Sequence, residues 1–353
     1  MSKEFIKGNE AMAEAAVRGG CRFFAGYPIT PQNDIPEYLS KRLFEVGGTF
    51  IQGESEIASI NMVYGVAATG VRSMTSSSSP GLALKSEGIS FIAGSRIPAV
   101  IINVARGGPA LGTIQGAQQD YFASAKAIAP GGFRCFVVSP STVQEAADLV
   151  YEAFEIADKY RTPVYVLTDG VIGNMMEIVE LPPMRDPEEM LSSDAWRITK
   201  YNDDSSARQF STYRPTGEML TVDNIAMAEL YEEWQEKEQR WEAFMMEDAE
   251  VVLTAYGSAG RIAKSAVKEL RAQGIKAGLI RPITLFPFPN KAYENINYDK
   301  IDKIFVVEMS IPPQFVYDVE LATKSQLDYI NINTSGGVIV ETESIVDKVK
   351  ESM

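Results

Sequence analysis

From Asn9 to Ala157, segments of helical period alternate with short apolar runs, and only a few residues of turn separate them. Such alternation restricts the chain to consecutive βα units laid on a mostly parallel sheet with helices against its faces. The punctuation agrees. Asn9 is placed to cap a helix over Glu10–Arg18 and Gly19-Gly20 to end it, because glycine tolerates the left-handed residue that closes a helix. A strand over Arg22–Ala25 runs into Gly26-Tyr-Pro-Ile-Thr-Pro31, where Pro28 and Pro31 stiffen an extended loop. Ser141-Thr-Val-Gln144 matches a capping box ahead of a helix over Ala146–Tyr160, and Val164–Leu167 reads as a strand. Open α/β sheets bind ligands in loops at the carboxyl ends of their strands. Gln52-Gly-Glu-Ser-Glu56 at a helix entrance, Thr75-Ser-Ser-Ser-Ser-Pro-Gly81 and Arg106-Gly-Gly-Pro109 all stand beside predicted strands.

Composition changes after Leu181-Pro-Pro183. Asp203–Arg208 is polar and turn-rich, and Glu229–Glu250 reads as a charged helix with a solvated face. A second α/β unit opens with the strand Val251–Tyr256. Gly257-Ser-Ala-Gly260 then leads into a helix over Arg261–Gln273, and strands follow at Ala277–Ile280, Ile304–Val307 and Val338–Val340. The expected division is 1–182, an arm over 183–248, and 249–353. The Gly257–Gly260 turn lacks the G-x-G-x-x-G spacing, and the next strand ends at Arg281 without a ribose-binding acid, so it reads as close strand-to-helix packing. A G-x-x-x-x-G-K-[ST] phosphate loop is absent from the sequence.

The net charge of −14 opposes nucleic acid and anionic lipid, and the most apolar stretch, Ile97–Ala105, is too short to span a bilayer. Neither a nucleic-acid nor a membrane role is expected. Met1–Gly8 shows no apolar signal core, so the expected location is cytoplasmic. With no histidine in the chain, Ser-His-Asp catalysis is excluded, and acid/base work falls to carboxylates, Lys, Tyr, Cys or a cofactor's own groups. Cys21 and Cys135 are the only cysteines and share no cluster spacing, whereas an iron–sulfur centre takes about four such ligands. Both read as buried apolar residues.

Among candidate site residues, Glu54 and Glu56 lie two apart at a helix start and point in different directions, which rules against a carboxylate dyad. Glu54 merely suits the positive end of the helix dipole. Glu56, with Ile57, Ala58, Ile60 and Met62 around it, meets an apolar surface and needs a partner for its charge or proton. Arg106 follows the strand Ala99–Val104, and the glycines after it let a ligand approach the backbone. A guanidinium there suits a carboxylate, although a surface salt bridge explains it equally well. Thr30 offers a hydroxyl on a stiff loop, and Ser76–Ser79 read as a polar loop at the sheet edge.

Together, Gly26–Pro31, Gln52–Ala58, Met74–Gly81 and Val104–Pro109 closely resemble the alpha subunit of 2-oxoacid:ferredoxin oxidoreductases. Ile60–Gly65 and Leu84–Phe91 look most like the branched-chain, or 2-oxoisovalerate, members. The likeness extends past Val251 to a transketolase C-terminal-like α/β domain. It implies an α/β, pyrimidine-type thiamine diphosphate domain with a mostly parallel sheet over residues 1–182. It also implies oxidative decarboxylation of a 2-oxoacid with coenzyme A, electrons leaving to ferredoxin. Carried over residue by residue, the family's cofactor-activating glutamate falls on Glu56, where its carboxyl would promote the imino tautomer of the pyrimidine. The substrate-binding residues fall on Thr30 and Arg106, and Pro28 and Thr30 line the cofactor loop. The diphosphate-binding Gly-Asp-Gly motif and the cluster cysteines are both missing from this sequence. The resemblance therefore implies a beta subunit carrying the diphosphate and Mg2+ site, and iron–sulfur subunits. Two alternatives stand beside it. One is the same chemistry on 2-oxoglutarate, whose distal carboxylate needs a second cation from among Arg72, Lys85 and Arg96; the other is a non-catalytic scaffold subunit.

Overall fold

A computed structural model describes residues 3–186, 190–198 and 208–353. The first part runs β1 (Lys3–Lys7), α1 (Gly8–Arg18), β2 (Phe23–Gly26), α2 (Asp34–Glu45), β3 (Thr49–Gln52), α3 (Glu56–Ala67), β4 (Ser73–Ser77) and α4 (Pro80–Gly94). It continues through β5 (Ala99–Ala105), α5 (Tyr121–Ala125), β6 (Phe136–Val138), α6 (Val143–Tyr160), β7 (Pro163–Asp169), α7 (Gly170–Asn174) and β8 (Met176–Glu180). After the arm helix α8 (Gly217–Lys237) come β9 (Trp241–Phe244), β10 (Val251–Ala255), α9 (Gly257–Ala272), β11 (Ala277–Pro282) and β12 (Thr284–Phe286). The chain closes with β13 (Lys303–Glu308), α10 (Val316–Ala322), β14 (Asp328–Asn333) and α11 (Thr342–Glu351).

The expected α/β architecture is present. A seven-stranded sheet has the order β12-β6-β7-β5-β4-β2-β3 and is parallel except at β12. Its central strands β4, β5 and β7 are buried throughout. The chain steps outward from β2 to β3, then crosses back to place β4 on the other side of β2, which makes the gap between β2 and β4 the topological switch point. A five-stranded sheet, β14-β13-β10-β11-β9, forms the second layer system, with β9 antiparallel at its edge.

Several local expectations shift. Lys7, not Asn9, caps α1; Asn9 is buried in the first turn, and its Nδ2 donates to the Pro31 carbonyl at 2.9 Å. A side-chain amide so placed does more for the β2 loop than for its own helix. Gly20, at φ +94°, takes the left-handed turn expected of the pair. Thr142, one residue beyond Ser141, caps α6, while the Ser141 N–H is met by Glu145. Ser76 and Ser77 lie inside β4, fully buried, instead of in an edge loop, because the parallel neighbours β2 and β5 enclose β4. Val338–Val340 is not a strand: β14 already pairs with β13, and Gly336-Gly337 turn the chain away with φ +64° and +90°.

The charged stretch Glu229–Glu250 is not one helix. The helix α8 ends at Lys237, and Trp241–Phe244 joins the second sheet, with Glu242 bonded at 2.9 Å to Arg281 on β11. Paired across strands in this way, an acid is at home in an edge strand. Residues 203–207 of the polar stretch read as turn-rich lie outside the described residues.

Candidate active site

Parallel pairing brings Gly26 level with Gln52, Ser77 level with Asn103, and Ala105 level with Asp169, so the loops after these strands open on one sheet edge. Thr30, Glu56, Ser79 and Arg106 all follow that edge, around the switch point.

Arg106 is 7% exposed, and its Nη1 donates to the Thr30 carbonyl at 2.8 Å. The structure therefore joins two residues that lie 76 apart in sequence. Its Nε is buried without a hydrogen-bond partner, and no salt bridge engages it among the described residues. An arginine so held is a surface salt bridge no longer; it keeps donor capacity for a carboxylate. Thr30 is half-buried, with its hydroxyl accepting a long 3.4 Å bond from Asn33, and Pro28 stays exposed on the rim. The Arg106 backbone N–H reaches Ser79 Oγ at 3.0 Å. Ser79 sits at φ +29°, an uncommon angle for a side chain, and is held there by a polar network: its N–H donates to Asn103 at 3.0 Å and its hydroxyl to Asp120 at 2.6 Å. Burial pushes the Asp120 carboxyl above the usual range, against the opposing pull of Ser79, Asn103 and the Arg106 charge. Beside this network lies a cavity of about 510 Å³, walled mainly by Leu82, Ala83, Ala123, Ile128, Ala129 and Tyr165, with Asp120 its one charged lining residue among those described.

Glu56 begins α3, behind a Ser55 cap whose hydroxyl accepts from the Ala58 N–H at 3.1 Å. It is buried where Glu54 is exposed, as their spacing predicts. No hydrogen bond among the described residues engages its carboxylate. The opposite wall is α4. A Cβ on Gly81 would stand 2.2 Å from Ser77 Oγ and 2.8 Å from Glu56 Oε1, and one on Gly88 would stand 2.5 Å from Ile60. Glycine at these two positions lets α3 and α4 close on one another. Between them Lys85 is fully buried, its Nζ donating to Thr75 Oγ1 at 2.9 Å, while the Thr75 hydroxyl donates to the Ala25 carbonyl at 2.7 Å. Burial pulls the Lys85 ammonium down to about 7, against the raising influence of Glu56. Ser77 Oγ and Ser78 Oγ are buried without partners. A buried carboxylate, unpartnered hydroxyls and a glycine wall fit the polar edge of a small flat heterocycle, such as an aminopyrimidine.

Lys85 is the residue whose place sequence reasoning missed, having been considered only as a cation for a diacid substrate. Of the three basic residues so considered, Arg72 and Arg96 precede β4 and β5, at the opposite sheet edge. Arg72 is paired with Glu155 and Asp158, and Arg96 bonds the carbonyls of Tyr160 and Arg161.

The model of the pyruvate flavodoxin/ferredoxin oxidoreductase thiamine diphosphate-binding domain matches residues 14–249, and that of the pyruvate:ferredoxin oxidoreductase core domain II matches residues 249–345. The chain belongs to the 2-oxoacid:ferredoxin oxidoreductase family. It is most like the branched-chain members: ketoisovalerate oxidoreductase subunit VorB of Methanothermobacter thermautotrophicus is 43% identical, over 99% of this chain and 98% of the relative. The 2-oxoglutarate synthase subunit KorA of Methanocaldococcus jannaschii is 34% identical, over 98% of each. Among solved structures, the 2-oxoglutarate:ferredoxin oxidoreductase of Magnetococcus marinus, bound to 2-oxoglutarate, coenzyme A and succinyl-CoA, superposes with a TM-score of 0.84 at 26% identity. That superposition covers 99% of this chain and 65% of the other. A split-gene transketolase, at 14% identity and a TM-score of 0.59, shares the fold. The site edge thus lies in a domain of a thiamine diphosphate-binding family, and the chain is an oxidoreductase subunit.

Proposed function

We propose that this chain is the alpha subunit of a thiamine diphosphate-dependent oxidoreductase that converts a branched-chain 2-oxoacid, 2-oxoisovalerate, and coenzyme A to acyl-CoA and CO2, passing electrons to ferredoxin. The observation that carries this reading is the pairing of Arg106 with the Thr30 loop on the same sheet edge as buried Glu56. When bound, thiamine diphosphate supplies a nucleophilic carbon and an electron sink for decarboxylation. Glu56 would bond a pyrimidine nitrogen and exchange a proton with it. Arg106, its Nε free of internal partners, would hold the substrate carboxylate beside the Thr30 hydroxyl.

The apolar cavity next to the Arg106 loop suits an aliphatic side chain, and its lining Asp120 opposes a second carboxylate. This favours a branched-chain substrate over 2-oxoglutarate. The diphosphate with its Mg2+, and the iron–sulfur clusters, are assigned to partner subunits, since this sequence lacks the diphosphate motif and its two cysteines are buried and far apart. Burial pushes the Cys21 thiol up to about 12, which suits a packing role. Exposed Tyr27, Ile57, Leu84, Leu111 and Ile114, on elements that bear the site loops, give a beta subunit an apolar surface to cover. A cytoplasmic complex is the expected setting; no helix among the described residues is long and apolar enough to cross a membrane.

The test is coenzyme A-dependent reduction of a viologen dye by the co-purified complex. The fastest reduction is expected with 2-oxoisovalerate. A preference for 2-oxoglutarate or pyruvate would move the substrate, and no reduction with any of them would make the subunit a scaffold.

A further inference from the structure

Gly81, Lys85 and Gly88 follow one another at intervals of four and three, which places them on one face of α4. That face meets α3: Gly81 lies against Glu56 and Gly88 against Ile60. Lys85 is the residue that stands between these two glycines on the face, and it is buried completely. Of its three N–H donors, one is used, on Thr75 Oγ1, whose own hydrogen is committed to the Ala25 carbonyl. Thr75 is therefore bound to accept from Lys85. A buried ammonium is expensive, and a methionine of similar length would fill the same space without that cost. Packing alone does not account for Lys85.

We propose that Lys85 is a positioning residue for Glu56: its ammonium group, fastened by Thr75 between Gly81 and Gly88, is the fixed counter-charge that stabilises the Glu56 carboxylate after the carboxyl has given its proton to a ring nitrogen. This inference rests on the thiamine diphosphate reading. With the cofactor bound, the Glu56 O–H bond would break as an N–H bond formed on the ring nitrogen; the carboxylate oxygen would keep the electron pair, and no oxidant or reductant would be involved. The negative charge left on Glu56 lies in the field of Lys85. Lys85 thus offsets the charge that the transfer would leave on Glu56, without touching the substrate. Around Lys85, α3 presents Glu56, β4 presents Thr75 and β2 presents the Ala25 carbonyl, and Glu56 is the charged group among the described residues whose field reaches it.

The sign of the pH dependence follows. As pH rises and Lys85 loses its proton, Glu56 loses its counter-charge and the proton transfer loses that stabilisation, so kcat declines on the alkaline side. The experiment compares the assembled complex carrying the natural chain, Lys85→Met and Thr75→Val. Measured quantities are thiamine diphosphate affinity by fluorescence quenching, the near-ultraviolet circular dichroism of the bound cofactor, KM, and kcat against pH. Lys85→Met is expected to bind cofactor and 2-oxoacid as the natural complex does. Its kcat should drop about tenfold or more, which corresponds to about 1.4 kcal/mol in the barrier. The cofactor's dichroism band should change, and the alkaline limb should vanish. Thr75→Val, which leaves the ammonium without its acceptor, should move that limb to lower pH, and it decides the matter should Lys85→Met not assemble. Natural dichroism and an unchanged pH profile in the variants, whether or not stability falls, would overturn the proposal. A natural complex that binds no thiamine diphosphate would instead overturn the reading beneath it and the proposal with it.

Discussion

At the scale of single residues, the site is made by contacts that carry their partners across long stretches of sequence. Arg106 illustrates this: it is fixed by the Thr30 carbonyl and by Ser79, and keeps a buried Nε free of internal partners. Arg106→Ala is expected to raise KM for the 2-oxoacid by about 10- to 100-fold, the span of one charge-assisted hydrogen bond at roughly 1.5–3 kcal/mol, with a smaller change in kcat. Steady-state kinetics of the assembled complex checks this, and an unchanged KM would remove Arg106 from the substrate's surroundings. The burial of Glu56 and the exposure of Glu54 could be read from two positions on one helix, since apolar neighbours surround the first. The placement of Lys85 could not be read so easily. Its partner Thr75 is on a different element, and a lone lysine in an apolar helix gives no direction. The spacing Gly81, Lys85, Gly88 was the available signal, because two glycines on a helix face mark a close approach by another element.

At the scale of elements, the alternation of helices and strands was legible because each parallel strand is enclosed by its neighbours and reads as a short apolar run. What escaped were elements whose sequence lacks that mark. The strands β1 and β8 pair only with each other, β12 covers three residues, and β9 carries a charge, Glu242, that is matched by Arg281 on the neighbouring strand and by Lys264 on α9. The serines of β4 are polar by type yet wholly enclosed, and two of them, Ser76 and Ser77, stand with Ser78 at the end of the strand that meets the candidate site. The helix α8 shows the reverse case: a charged helix with a single fully buried residue. Trp234 is fully buried and packs against Phe136, Tyr160, Tyr231 and Phe286, with ring centroids 5.2–6.2 Å away. Trp234→Ala is expected to destabilise the chain by about 3–5 kcal/mol, the range for removing a buried aromatic side chain, while leaving KM for the 2-oxoacid unchanged. Denaturant unfolding measures the first and steady-state kinetics the second. A loss under about 1 kcal/mol would show that α8 is not held by this residue.

At the scale of the whole molecule, the second sheet supports the site as well as extending the fold. Gln118, downstream of the Arg106 turn, donates to the Tyr256 carbonyl at 2.8 Å and accepts from the Met309 N–H at 3.0 Å. Tyr121 and Lys126 both bond Asp318, and β12 returns from the second unit to pair with β6 in the first sheet. These ties across more than a hundred residues carry no local signature, which is why the sequence shows two α/β units and not how firmly they join. In the proposed reading this sheet edge, with exposed apolar residues around it, is one half of a cofactor site that a partner subunit completes. The most direct measurement is coenzyme A-dependent dye reduction with 2-oxoisovalerate by the complex assembled with the natural chain and with Glu56→Gln. The variant should assemble and bind substrate yet lose about 10²-fold or more in kcat, as for removal of a general acid; turnover equal to that of the natural complex would contradict the assignment of the site to this chain.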